Sequence, residues 1–138
     1  EHQVYAPGTL YFEDGHRFFR QLLARGGAEM PTAIFAHNDM VAIGILRCID
    51  ELGYRVPEDF SVIGHDAIGQ GEFTTPPLTT VSYATGRSVG QLLVETVLAR
   101  LKTPEAPRVC RLIPPKLIVR GSTGAARTVP WSYRSNQH

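Results

Sequence analysis

The sequence predicts an α/β fold built on a parallel sheet, and three observations lead to that prediction. The stretches 33–36 and 60–64 are short and mostly apolar, which is typical of strands covered on both faces of a parallel sheet. An amphipathic helical pattern lies between them. A connection of this length that contains a helix makes the two strands parallel. Residues 33–66 therefore form a complete strand, helix, strand unit.

The helix of this unit has recognisable ends. Asn38 is well placed to cap its first turn, and Asp39 puts a negative charge where the helix dipole favours one. Gly53 is the expected stop. The apolar positions recur at spacings of four, four and three, so they share one face: Val41, Ile45, Ile49 and Leu52.

The other elements follow from the same kinds of pattern. Glycines and prolines after Asp66 restrict the next stretch to a loop with at most one short helical turn. The predicted elements outside the central unit are a helix at 14–25, a strand at 78–83, a helix at 86–102 capped by Thr85, and two short strands at 108–113 and 116–120.

Composition excludes several classes of protein. The chain has 138 residues, 43% of them hydrophobic, which suits one domain with a real core. Its 14 basic and 13 acidic residues are interspersed, so we expect neither a nucleic-acid face nor a membrane patch. No apolar run reaches the roughly 18 residues of a membrane span, and no signal-peptide pattern is present, so a cytoplasmic location is expected.

The chain has two cysteines, Cys48 and Cys110, and both are predicted to be reduced core thiols.

Two polar clusters follow the strands of the central unit. His37, Asn38 and Asp39 come after the first strand, and His65 and Asp66 come after the second. In open parallel sheets, ligands bind outside the carboxyl ends of the strands. Both clusters lie on that edge, which predicts a ligand site.

Three motifs carry a resemblance to a known family. They are PTAIFAHND at 31–39, GYRVPEDFSVIGHD at 53–66 and PPLTTV at 76–81. In this order and spacing they resemble the C-terminal half of the effector-binding region of lactose-repressor (LacI/GalR) family transcription regulators, over about 4–123. The resemblance implies a doubly wound, periplasmic-binding-protein-like (type I) fold, here mainly its C-terminal lobe at 1–123. Residues 124–138 are expected to be a flexible tail.

The resemblance also assigns binding residues. It implies that Asn38 and Asp66 hydrogen-bond to an effector, a sugar or another small polar metabolite. A carboxylate accepts two hydroxyl protons and a carboxamide both donates and accepts, so the residue types fit neighbouring hydroxyls. The residues alone leave simpler roles open, with Asn38 as a helix cap and Asp66 as a turn residue.

The sequence departs from the family at several of these positions. His65 stands where Tyr or Phe is usual, and Leu10 and Thr85 occupy ligand-binding positions where many members have aromatic residues. Hexose stacking is therefore in doubt, and the identity of the effector stays open. Three aromatic residues are alternatives for that surface, or for the core or an interface: Tyr11, Phe12 and Tyr83.

Family regulators act as homodimers, which adds expectations about partners. The positions that resemble the dimer surface are Ile43, Arg47, Tyr11, Asp14 and Thr74, although core burial explains Ile43 equally well. The implied mechanism is allosteric, because an effector that bridges two lobes favours one lobe orientation. Operator DNA would be contacted only through an N-terminal headpiece.

Neither the headpiece nor the first lobe is in this sequence, and the first strand and helix of the C-terminal lobe are absent too, so we expect a fragment of a repressor. In the family the helix at 86–102 returns to the first lobe. Its apolar face would be uncovered here, and we expect the fragment to associate with itself or to exchange elements.

Two other classes of function are alternatives. A periplasmic sugar-binding transport receptor has the same ligand chemistry without DNA. A metal-dependent hydrolase could use His37, Asp39, His65 and Asp66, but two pairs are an incomplete ligand shell. The sequence has no nucleophile motif, phosphate loop or dinucleotide fingerprint, so we expect no enzyme activity, no cofactor and no metal.

Overall fold

The computed structural model describes residues 10–26, 30–83 and 88–128. In these ranges three α-helices, one short 3-10 turn and four strands alternate along the chain. The elements are α1 (Phe12–Arg25), β1 (Ala33–Phe35), α2 (Asp39–Glu51), β2 (Ser61–His65), the 3-10 turn (Gly69–Glu72), β3 (Thr79–Ser82), α3 (Val89–Lys102) and β4 (Lys116–Ile118). The predicted central unit and the single helical turn after Asp66 are both present.

The four strands form one sheet in the order β1, β2, β3, β4. β1 and β2 are parallel, with Phe35 opposite Ile63, and β2 and β3 are parallel, with His65 opposite Val81. β4 is antiparallel to β3 and closes the edge of the described sheet. Three neighbouring strands therefore end at the same edge.

Close helix packing organises the core. α2 packs on β2, and α1 packs on α2 at a point where glycine is required. A Cβ atom on Gly15 would lie 2.0 Å from the Val41 carbonyl oxygen, and one on Gly44 would lie 1.9 Å from the Phe12 carbonyl oxygen. The backbones therefore touch, which positions α1 firmly against the helix that follows the first polar cluster.

One face of the sheet is open in the described part of the chain. Phe35 of β1 is 66% exposed, and Leu117 of β4 is 54% exposed. The apolar composition of β1 predicts a strand covered on both faces, whereas its side chains are exposed, buried and exposed in turn. No described element packs over Phe35, so the prediction fails for that face.

α3 begins differently from the prediction. Its cap is Ser88, whose hydroxyl accepts a hydrogen bond from the Gln91 backbone, while the Gln91 side chain accepts one from the Ser88 backbone. Thr85, the predicted cap, lies outside the described residues. The apolar side chains of α3 are exposed as expected, for example Leu93 at 61% and Leu101 at 70%.

No membrane-crossing candidate occurs among the described helices, none of which is sufficiently long and apolar.

The segment before β4 corrects two predictions. The strand predicted at 108–113 is absent, because residues 107–115 have no regular structure and pair with no strand. Prolines flank this stretch on both sides and lack the N–H group that a ladder needs. Cys110 is consequently exposed and not a core thiol, whereas Cys48 is buried as predicted.

The start of the predicted flexible tail is attached to the core. The Gly124 backbone donates to the Ser61 hydroxyl at 3.1 Å. The Arg127 guanidinium donates to the carbonyl oxygens of Met30 and Asp59, each at 2.8 Å, and lies over the Phe60 ring. These bonds hold Gly124 and Arg127 against the folded domain, so the tail predicted from residue 124 onward is not loose at these two residues. Residues 129–138 lie outside the described residues.

Candidate ligand-binding site

The pairing register of β1 and β2 places the polar clusters that follow these two strands at the same edge of the sheet. Phe35 pairs with Ile63, and Asn38 and Asp66 each follow three positions later on adjacent parallel strands. Neighbouring strands lie about 4.8 Å apart. Asn38 and Asp66 thus follow the carboxyl ends of two adjacent strands.

Asn38 has two bonding partners within the chain. Its side-chain oxygen accepts from the Val41 backbone at 2.9 Å, which caps α2 as predicted. Its side-chain nitrogen donates to the Leu10 carbonyl oxygen at 3.1 Å. The structure therefore brings together two of the predicted binding positions. One lone pair and one N–H of the carboxamide remain for another group.

Leu10 itself is half-buried and packs against the core. Its φ is 66°, in the left-handed region. The Leu10 backbone is thus held by Asn38, which begins α2. Thr85, the fourth predicted binding residue, lies outside the described residues.

The turn after β2 is strained. Asp66 has φ 104° and Ala67 has φ 54°, and neither is glycine. Each such residue costs on the order of 1–3 kcal/mol, and such strain is concentrated at functional sites. The Asp66 side chain is 53% exposed at this edge.

Two fully buried side chains hold this turn in place. Asp39 accepts hydrogen bonds from the Ile68 backbone at 2.8 Å and from the Thr80 hydroxyl at 2.6 Å. The Thr80 hydroxyl in turn accepts from the Ala67 backbone at 3.3 Å. The sequence patterns did not reveal this support, although two adjacent threonines in a predicted buried strand were a clue that hydroxyls have buried partners.

His65 connects the ends of β2 and β3. Its Nδ1 lies 2.8 Å from Asp66 Oδ1, and its Nε2 lies 3.0 Å from the Tyr83 hydroxyl. The two rings meet edge to face, with 5.2 Å between centroids. Asp66 makes no other side-chain bond in the described chain, so its Oδ2 has no bonding partner there. The site thus includes a polar and aromatic wall next to Asp66.

The residues predicted for the dimer surface differ in how exposed they are. Tyr11 and Arg47 are exposed, Ile43 is half-buried against the core, and Asp14 is buried. Asp14 accepts from the Tyr11 backbone at 3.2 Å and so completes the first turn of α1. Thr74 donates to the Gly71 and Pro76 carbonyl oxygens in its own loop.

Arg47 bonds within its own helix. Its Nε donates to Glu51 at 2.8 Å, and His16 of α1 lies 2.8 Å from the other Glu51 oxygen. Hydrogen bonds from His16 and then Arg47 lower the pKa of Glu51 below its ordinary value. This ion-pair cluster joins α1 to α2 on the exposed side of the helix pair.

The four residues of the metal alternative are not one cluster. Asp39 is buried and fully bonded to Thr80 and Ile68, whereas His65 bonds to Asp66 at the exposed edge. Among residues 10–26, 30–83 and 88–128 no group of three or more His, Cys, Asp or Glu side chains is arranged to hold a metal ion.

Residues 1–123 match the family model described as "Periplasmic binding protein-like domain". The repressor PurR of Mannheimia succiniciproducens is 39% identical over 115 residues, which are 83% of this chain and 34% of that protein. The repressor CytR of Escherichia coli K12 is 38% identical over 126 residues, which are 89% of this chain and 35% of that protein. The chain belongs to the LacI/GalR family of effector-binding domains. It spans about a third of the length of these relatives.

Solved structures of the family have the same fold. A LacI family regulator from Enterococcus faecalis V583 with bound ribose superposes with TM-score 0.79 at 31% identity, over 91% of this chain and 45% of that one. The lac repressor dimer bound to operator and the anti-inducer ONPF superposes with TM-score 0.73 at 35% identity, over 83% of this chain and 39% of that one. The fold is thus periplasmic-binding-protein-like, and this LacI/GalR chain represents part of it.

Proposed function

We propose that this chain is the effector-binding and dimerisation part of a LacI-type bacterial transcription regulator, and that it binds a sugar or a similar small polar metabolite. The observation that carries the proposal is that Asn38 and Asp66 each follow the carboxyl end of one of two adjacent parallel strands. The strained backbone at Asp66 supports it, because such strain persists where the surroundings need a particular side-chain direction.

The relatives support the class of ligand. A family structure from Enterococcus faecium contains ribose, and the regulator CelR was solved with cellobiose. Both ligands are neutral and rich in hydroxyl groups. Asp66 can accept from two such hydroxyls, and hydrogen bonds to a charged group are worth about 1.5–3 kcal/mol, so Asp66 should contribute more affinity than Asn38. Leu10 and Thr85 would complete the contacts from their own segments.

The proposed mechanism is allosteric. The effector would bridge this lobe and a second lobe, and its differential affinity for two lobe orientations would be passed through a homodimer to operator-binding headpieces. Tyr11, Ile43 and Arg47 offer a surface on the α1–α2 pair for the dimer, and Thr74 offers a second segment. Asp14 would act indirectly through the α1 cap. Such a regulator would be cytoplasmic and would need no catalytic residues or cofactor.

Thermal unfolding with candidate ligands tests the effector site. We expect ribose, cellobiose or another small polar metabolite to raise the melting temperature of the full-length regulator in a concentration-dependent way, because a ligand that binds the native state alone stabilises it. Asp66→Ala should abolish this shift. Asp50→Ala is a matched control, since Asp50 is an exposed carboxylate on α2. A shift that is equal in both variants would remove Asp66 from the site.

The first residues that the gene encodes would distinguish a transcription regulator from a transport receptor. A helix-turn-helix coding region upstream supports the regulator, and a signal peptide there supports the receptor.

The predicted self-association through the exposed face of α3 stays a prediction. A monomer in light scattering of this chain would contradict it.

A further inference from the structure

His65 joins two groups that face the proposed site, Asp66 and Tyr83, and its geometry fixes the positions of the protons. An ionised carboxylate only accepts hydrogen bonds, so the nitrogen 2.8 Å from Asp66 Oδ1, which is Nδ1, must carry a proton. In the neutral ring Nε2 then has none. It must accept from the Tyr83 hydroxyl, which lies 3.0 Å away.

This arrangement determines what the wall offers to a ligand. The Tyr83 proton points to His65, so the free lone pair of the Tyr83 oxygen is an acceptor. Asp66 Oδ2 is an acceptor as well, because His65 occupies Oδ1 and no described residue bonds to Oδ2. Tyr83 is 39% exposed and follows β3 at the same edge.

We propose that Tyr83 and Asp66 form a double-acceptor wall of the effector site, with His65 as the residue that positions both. The inference rests on the proposed function and names the ligand class more narrowly: a neutral compound that presents two adjacent O–H or N–H donors to this wall. Sugars with neighbouring hydroxyls belong to this class. Tyr83 therefore replaces part of the recognition that the aliphatic Leu10 does not provide.

Protonation of His65 would change which atoms of the wall donate hydrogen bonds and which accept them. Both ring nitrogens are then donors, so Nε2–H donates to the Tyr83 oxygen and the Tyr83 hydroxyl turns its own proton toward the ligand. The positive ring also offsets the charge of Asp66. Acid should therefore weaken binding of a ligand that donates to both acceptors.

Other groups near His65 must be separated from this effect. The charged or titratable groups at the neighbouring strand ends are Asp66 after β2, Tyr83 after β3, His37 after β1, and Lys116 at the start of β4. His37 is the other histidine at these strand ends, so its contribution must be tested separately. His37 is exposed, which makes His37→Gln a clean control.

The first test is nitrogen NMR of this chain with labelled histidine and no ligand. We expect the His65 ring at neutral pH to be protonated on Nδ1 and bare on Nε2. Tyr83→Phe should shift the Nε2 resonance and leave the tautomer unchanged. A ring protonated on Nε2 would overturn the inference and leave the proposed function standing.

The second test is calorimetric titration of the full-length regulator with ribose and with cellobiose between pH 5 and 8. Loss of one neutral hydrogen bond corresponds to about a two- to tenfold weaker affinity. We expect that loss for Tyr83→Phe at pH 8 and for the unchanged protein on acidification. His65→Asn keeps a donor to Asp66 without a titrating ring, so it should bind with little pH dependence, whereas His37→Gln should keep the dependence.

The outcomes separate the two proposals. Binding that requires Asp66 but is indifferent to pH, to Tyr83→Phe and to His65→Asn would overturn the double-acceptor wall alone. Binding of either sugar that is indifferent to Asp66→Ala would overturn the proposed site and the wall together.

Discussion

The Asp39 carboxylate accepts a hydrogen bond from the Thr80 hydroxyl, with 2.6 Å between Oδ1 and Oγ1, and both side chains are fully buried. This bond joins the start of α2 to β3 beneath the turn that presents Asp66. A buried carboxylate is costly unless it is well bonded, so the pair links the stability of the fold to the shape of the turn at Asp66. Four predictions follow from this pair and from other buried contacts.

Thr80→Val should destabilise the protein by about 1–3 kcal/mol, because it keeps the side-chain shape and leaves a buried carboxylate oxygen without its donor. Urea unfolding measures the change. Thr128→Val is the matched control at an exposed threonine, and its effect should stay within about 0.5 kcal/mol. Equal effects of the two substitutions would show that the Asp39–Thr80 bond contributes little.

Gly15→Ala should destabilise the protein by about 1–3 kcal/mol or more, because the added Cβ meets the Val41 carbonyl and forces α1 away from α2. The same substitution at Gly90 should instead stabilise α3 by up to about 1 kcal/mol, since alanine favours helix and the added Cβ would make only an ordinary contact, 3.8 Å from the Ser88 hydroxyl. Thermal melts of both variants test the contrast. A neutral Gly15→Ala would mean that the two helices can separate without cost.

Arg127→Ala should cost about 1.5–3 kcal/mol, because the guanidinium donates to the Met30 and Asp59 carbonyl oxygens and packs over Phe60. Denaturant unfolding compared with Arg111→Ala provides the measurement, since Arg111 is exposed in the irregular segment before β4. If the two variants were equally stable, residues 124–127 would be the loose tail that the sequence predicts.

The two thiols should react at very different rates. Burial raises the pKa of the Cys48 thiol, which keeps it in the unreactive protonated form, whereas Cys110 is exposed. A thiol reagent should modify one group quickly in the folded protein and the second only in denaturant. Cys110→Ser should remove the fast phase. Fast modification of two thiols in the folded protein would contradict the burial of Cys48.

Much of this architecture could be predicted from local patterns. The spacing of Val41, Ile45 and Ile49 predicts α2, and Asn38 marks its start, because periodicity and capping act over a few residues. The parallel order of β1 and β2 follows from the length of the connection between them. The motifs around Asn38 and Asp66 indicate the family and the binding edge.

The sequence patterns gave wrong predictions where contacts between distant parts of the chain determine the structure. The stretch at 108–113 is apolar enough for a strand, but a strand forms only where its backbone pairs with a neighbour, and residues 107–115 pair with no described strand. Residues 124–127 have no periodicity, yet Arg127 reaches carbonyl groups almost a hundred positions earlier in the chain. The exposure of Phe35 likewise depends on which elements cover the sheet and not on its own type.

Local sequence patterns were enough to predict every described helix and strand, although they added one strand at 108–113 that is absent, and the motifs were enough to indicate the family. The tertiary structure alone decided that Asp39 is a buried support for the turn at Asp66, that His65 bonds both Asp66 and Tyr83, and that Gly15 must remain glycine. The reason is physical: propensity and capping depend on neighbours in sequence, whereas a buried hydrogen bond or a helix contact depends on atoms brought together only by folding.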